Sequence, residues 1–250
     1  MSLSILLIIV FSSSLILTMI GLGGGLVFSP LFVLLNFPVS TAVSCSLFLN
    51  GIAAVSAAIV YLRKRMVDFS VAVPLIVTSA LGAPLGALTT DKINIKLFMG
   101  LLASIIFLAA LRMIFLSKVR DRDLETSRLK KIVGGGCIGF AIGFMAGLLG
   151  IGGGVFIVPL LIYFLNIPTK TAAATSIVIV CFSSFSGFAT HAATAVIDWK
   201  FILPAAMCSF VGAQIGSRIM SEKLRGRTVR ILFGVLLLLF CAKLFHRAFI

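Results

Sequence analysis

Acidic residues are scarce in this chain. Seven Asp and Glu stand against 21 Lys and Arg in 250 residues. No Asp, Glu or Lys falls near the middle of an apolar run, and Arg112 lies close enough to a run's end to snorkel. Cation sites and carboxylate proton relays place acid inside the membrane. Its absence argues against a cationic substrate and leaves no evident proton carrier. Cysteine is also sparse: Cys45, Cys137, Cys181, Cys208 and Cys241 are odd in number, lie in apolar stretches and form no CxxC pair. A disulfide framework and a metal site are therefore not expected, and buried cysteine behaves as a small hydrophobe. The two histidines, His191 and His246, sit at the ends of apolar runs, and no GxSxG-like turn occurs. An intramembrane hydrolase would need a nucleophile paired with a base at depth. Nothing here calls for a cofactor.

What the chain has in abundance is apolar surface. Sixty per cent of residues are hydrophobic, 11% are charged, and mean hydropathy is +1.23. Roughly half apolar content is already normal for a soluble domain, so this excess needs a membrane. Runs of about 18 or more apolar residues read as spans, and they occur at 3–20, 40–62, 69–90, 95–116, 132–149, 170–193, 199–217 and 228–249. Two shorter pieces, 24–36 and 154–166, follow glycine clusters. The first run has no basic leader and ends in Gly21-Leu-Gly, which reads as a retained helix rather than a signal peptide. The net charge of +14 comes from loops between spans, where Lys and Arg orient a membrane protein. A nucleic-acid site would need a basic face on a soluble module, and none is present.

The chain is written twice. GLGGGLVFSP at 21–30 returns as GIGGGVFIVP at 150–159. At an offset of 130, Pro38, Thr41, Ala42 and Ser46 recur as Pro168, Thr171, Ala172 and Ser176. Val67-Asp68-Phe69 becomes Ile197-Asp198-Trp199, and Gly82-Ala-Pro-Leu-Gly86 becomes Gly212-Ala-Gln-Ile-Gly216. The expected organisation is a first membrane repeat at 1–116, a cytoplasmic linker at 117–131 and a second repeat at 132–250.

Charge chooses between four and five elements per repeat. Five per half, with Arg63-Lys64-Arg65 inside, places 16 Lys and Arg inside and five outside. Four per half gives 13 and eight. The positive-inside rule favours the first, and an odd count inverts the second half. The expectation is an all-α polytopic membrane protein of two inverted-topology repeats. Each repeat has five helical elements and a Gly-broken helix pair.

Three consecutive glycines expose backbone that is tolerated at membrane depth only where protein buries it or it lines a polar cavity. Gly23, Gly24, Gly25 and Gly152, Gly153, Gly154 each precede an apolar helical piece with a proline. The first N–H groups of a helix lack intrahelical partners and favour negative charge, so two facing starts would make an anion cradle. Close helix packing is the competing account of such glycines; duplication with the same polar neighbours favours function. Those neighbours are Thr41, Ser44, Cys45, Ser46 and Asn50, and Thr171, Thr175 and Ser176. Thr41/Thr171 and Ser46/Ser176 recur in both copies. Gln214 stands where the first half has Pro84, as an interhelical hydrogen bond or an asymmetric contact. Ser183, Ser184 and Ser186 read as packing, Asp68 and Asp198 as helix N-caps, and His191 as an interfacial ring.

The ordered series GLGGGLVFSPLFVLL, Thr41-Ala42-Val43 to Ser46, Val67-Asp68-Phe69 and Gly82-Ala-Pro-Leu-Gly86 resembles the TauE/SafE sulfite exporter family of membrane permeases. The resemblance spans both halves. It implies a multi-pass protein of the cell membrane whose partners are the lipid bilayer and a small sulfur-containing anion such as sulfite, thiosulfate or an organosulfonate. The leading expectation is a secondary transporter, not an enzyme, with that anion held between the two glycine-broken helix starts. The alternatives are an anion channel and, with less support, the hydrolase.

Overall fold

Two ten-residue helices follow the glycine runs, α2 (Gly25–Leu34) and α6 (Gly154–Tyr163). At about 1.5 Å per residue each reaches only half of a bilayer core. In this computed structural model residues 3–35, 37–88, 107, 128–149, 152–163, 165–192 and 197–249 are described. They form α1 (Leu3–Met19), α2, α3 (Val39–Arg63), α4 (Phe69–Leu88), α5 (Arg128–Leu149), α6, α7 (Thr169–Ala192), α8 (Trp199–Glu222) and α9 (Gly226–Phe249). These follow the expected runs closely. The expected run at 95–116, apart from residue 107, and the linker as far as 127 lie outside the described residues. Four helices (α3, α4, α7 and α8) are long and apolar enough to cross a membrane among the described residues.

The centre is α3 against α7, the two copies of one helix. They run antiparallel. Leu47 meets Gly187, Asn50 meets Ser184, and the backbone N–H of Asp68, beyond the end of α3, reaches Thr175. The flanking pairs exchange between halves: α4 packs on α5 and α1 on α8. Small residues bring these backbones together, as they do in membrane interfaces. A methyl group on Gly82 or Gly86 would strike the carbonyls of Phe140 or Phe144, and one on Gly212 or Gly216 those of Phe11 or Leu15. Where α5 presents Gly143 and Gly147 to Ser79 and Ala83, α1 presents Ser14 and Thr18. Ser14 and Ser209 hydroxyls lie 2.8 Å apart, so a hydrogen bond joins helices on one side that bare backbone joins on the other.

Hydrogen bonds repeat with the sequence. Ser56 donates to the Phe210 carbonyl and Ser186 to the Ala80 carbonyl, both at 2.7 Å. Ser186 therefore has a polar counterpart, Ser56, and ties helices together. Tyr61 donates to the Thr18 carbonyl at 2.9 Å, and its counterpart His191 places Nε2 3.4 Å from the Gly147 carbonyl. Both rings are buried. His191, expected at a helix end, lies in the last turn of α7 and is packed against α5 beside a backbone carbonyl. Asp68 accepts from the Ser70 N–H and Asp198 from the Lys200 N–H, each at 3.0 Å, as expected of N-caps.

The outward faces match too. Phe69, Val73, Val77, Leu81 and Leu85 on α4, and Trp199, Leu203, Met207, Val211 and Ile215 on α8, are exposed apolar residues suited to lipid. At one end, Lys64 pairs with Glu222 at 2.5 Å, and Lys170 donates to the Ser221 carbonyl at 2.9 Å. Basic loops of both halves therefore share that end. Rings gather around the start of α8: Phe37 stacks on Phe201, and Phe48 meets Phe188 and Trp199.

Candidate functional site

Both glycine breaks turn through left-handed backbone. Gly21 and Gly23 have φ of +87° and +75°, and Gly152 and Gly153 have +77° and +82°. L-residues other than Asn and Asp avoid this region, which explains the glycines at these four positions. The breaks meet inside the protein. A methyl group on Gly154 would lie 2.9 Å from the Leu22 carbonyl oxygen, and one on Gly21 would lie 2.7 Å from the Ala173 Cα.

Asn50 is fully buried between them. Its Oδ1 accepts from the N–H of Gly24 at 2.5 Å and of Gly25 at 2.8 Å. Its Nδ2 donates to Ser184 Oγ at 2.8 Å. Two donors on one side fix the amide's orientation, since its nitrogen could not accept them. The amide also occupies the space over both breaks. A methyl group on Gly23 would collide with Oδ1, and one on Gly152 with Nδ2. The repeat is broken here, because position 180, the counterpart of Asn50, is a fully buried valine. Valine has no oxygen to offer the start of α6.

Three hydroxyls hold the carbonyls of the breaks. Ser46 donates to Gly25 at 3.3 Å, Ser176 to Gly21 at 3.0 Å and Ser183 to Gly152 at 3.0 Å. The Ser176 bond crosses from one half to the other. With carbonyl oxygens engaged and N–H groups converging, the region favours an acceptor over a cation.

The structure thus gathers Gly23, Gly24, Gly25, Ser46, Asn50, Gly152, Gly154 and Ser176, and adds Ser183 and Ser184, which the sequence reads as packing residues. Their first-half counterparts are Ala53 and Ala54, so the repeat gave no signal for them. Gly153 adjoins this group, its own Cβ position facing Ile142. Other expected residues go elsewhere. Cys45 packs into an apolar cluster with Val10, Phe28 and Leu49. Thr175 accepts the Asp68 N–H at 3.0 Å. Gln214 lies 3.0 Å from Ser56, a turn and a half of α3 beyond Asn50. Thr41 is buried and Thr171 half-buried, each five residues before the serine that bonds a break. At helical rise that is about 7.5 Å. Ser44 is buried, and its hydroxyl has no hydrogen-bond partner among the described residues. Among the described residues, no cluster of His, Cys, Asp and Glu could hold a metal ion.

A family model described as sulfite exporter TauE/SafE matches residues 5–244. The probable membrane transporter protein YunE of Bacillus subtilis is 24% identical over 98% of both chains. A probable membrane transporter protein of Haemophilus influenzae is 28% identical over 83% of this chain and 80% of its own. YdhB of Bacillus subtilis, also a probable membrane transporter protein, is 24% identical over 86% and 89%. No solved structure matches the chain. A doubled glycine break buried among membrane helices, matched over almost the whole length, identifies a multi-pass membrane transporter that belongs to the TauE/SafE sulfite exporter family.

Proposed function

We propose that this transporter is a secondary carrier for a small sulfur-containing anion, bound where the two glycine breaks meet. The observation that carries the proposal is the convergence of the Gly24 and Gly25 N–H groups on one oxygen, at 2.5 and 2.8 Å. Sulfite, thiosulfate and sulfonates all present such oxygens, and a helix start favours their charge. The breaks, Ser46, Ser176, Ser184 and Asn50 form the site, while Thr41 and Thr171 border it.

The carrier consists of inverted repeats at 1–116 and 132–250, joined by a cytoplasmic linker at 117–131, with both termini outside. Supporting this are the antiparallel contact of the matching helices α3 and α7 and the meeting of Lys64 with Glu222 at one end. Parallel repeats of four spans would put those two loops on opposite sides. Alternating access then follows from rocking one repeat against the other around the fixed breaks.

The test is flux of labelled sulfite, thiosulfate and methanesulfonate into vesicles holding the purified protein. Saturable flux with counterflow is expected. Flux of a cation or a sugar with none of any sulfur anion would overturn the proposal, and flux without saturation or counterflow would make the protein a channel.

A further inference from the structure

If the glycine breaks are the anion site, the amide of Asn50 sits in the anion's seat. Its oxygen takes the two N–H groups at the start of α2. We propose that Asn50 is a resident competitor. Its side-chain oxygen holds the helix start while the carrier is empty, and an oxygen of the substrate replaces it. The inference rests on the function proposed above and assigns Asn50 a role opposite to that of a ligand: it weakens substrate binding while keeping the empty site closed.

Three features of the geometry support this. The first is chemical. The amide oxygen carries only partial charge, so a sulfonate or sulfite oxygen makes stronger bonds to the same N–H pair. A carboxylate at this position would compete on equal terms and stay. The second is coupling. When the amide leaves, its bond to Ser184 breaks and frees Oγ beside Gly152, so displacement at the first break adds a polar group at the second. The third is asymmetry. Val180 offers the start of α6 no counterpart to the Asn50 amide, and among the described residues no other side chain bonds it, so a single displacement opens the site. An empty carrier with a bare start to α2 would hold buried donors unsatisfied, which is costly; the Asn50 oxygen removes that cost at the first break.

The experiment follows thermal stability of the purified full-length protein during titration with sulfite and with methanesulfonate. Asn50→Ala should melt lower when empty, yet reach half-maximal stabilisation at about tenfold lower anion concentration, because the competent state no longer has to be vacated. Asn50→Asp, which is isosteric, should melt at or above the wild-type temperature and gain no stability from either anion. The two variants move in opposite directions only if the side chain competes for the seat. Weaker anion stabilisation in Asn50→Ala would make the amide a substrate ligand and overturn the inference. So would wild-type binding by Asn50→Asp, which keeps the test decisive if the alanine variant fails to fold. A wild-type protein stabilised by neither anion would overturn the site itself, a result distinct from either variant's.

Discussion

The two glycine breaks are near-copies in sequence and differ in what fills them. Before α2, the N–H groups of Gly24 and Gly25 bond the Asn50 amide. Before α6, the matching position on α7 is Val180, and Gly153 takes a left-handed φ of +82° that Gly24 does not share. Among the described residues the flanking helices repeat several contacts, including the equal 2.7 Å bonds of Ser56 and Ser186. The frame of this protein is thus symmetric and its centre is not. Duplication supplies helices, breaks and small-residue contacts twice. A single unduplicated side chain then makes one polar connection between them, because two amides could not share the one space over the breaks.

The largest effect expected is all-or-none and tests whether the halves are inverted. In a background without native thiols, cysteines introduced at Ile93 and Val196 should react with an impermeant reagent added outside, and one at Arg122 should not. Labelling at 122 from outside would end the inverted arrangement.

Next comes the comparison of the breaks themselves. Gly153→Ala forces a methyl-bearing residue to φ +82°, costing roughly 1–2 kcal/mol. Gly24→Ala carries no such backbone strain and meets mainly the far edge of the buried Phe28 ring. Transport and melting temperature should both fall further in Gly153→Ala. Equal losses would mean that the backbone difference has no consequence.

The symmetric frame predicts matched, smaller effects. Ser56→Ala and Ser186→Ala each remove a hydroxyl-to-carbonyl bond between helices, Ser56→Ala with the Gln214 contact besides, and should each lower stability by about 0.5–1.5 kcal/mol. A large difference between the two in thermal melts would break the equivalence of the halves. Smallest of all should be Lys64→Met, which removes the exposed ion pair with Glu222. Such pairs add little and are screened by salt, so flux and melting should stay close to wild type at moderate ionic strength.

The amino-acid sequence by itself determined the helices and their breaks. Apolar runs, Gly-rich interruptions and the 130-residue echo place α1 to α4 and α5 to α9 within a few residues, because lipid requires each span to bond its own backbone and to be apolar along its length. It also determined the caps at Asp68 and Asp198, which depend on neighbours two residues away. What only tertiary structure decided is which polar side chains meet. Gln214 and Thr175 look equal to Asn50 as site residues in one dimension, yet Gln214 reaches Ser56 and Thr175 the backbone of Asp68. Ser184 looks like packing and turns out to bond Asn50 from 134 residues away. That contact exists because α3 and α7 cross antiparallel at these two positions. A repeat reports which residues are alike, whereas a hydrogen bond depends on which residues are near.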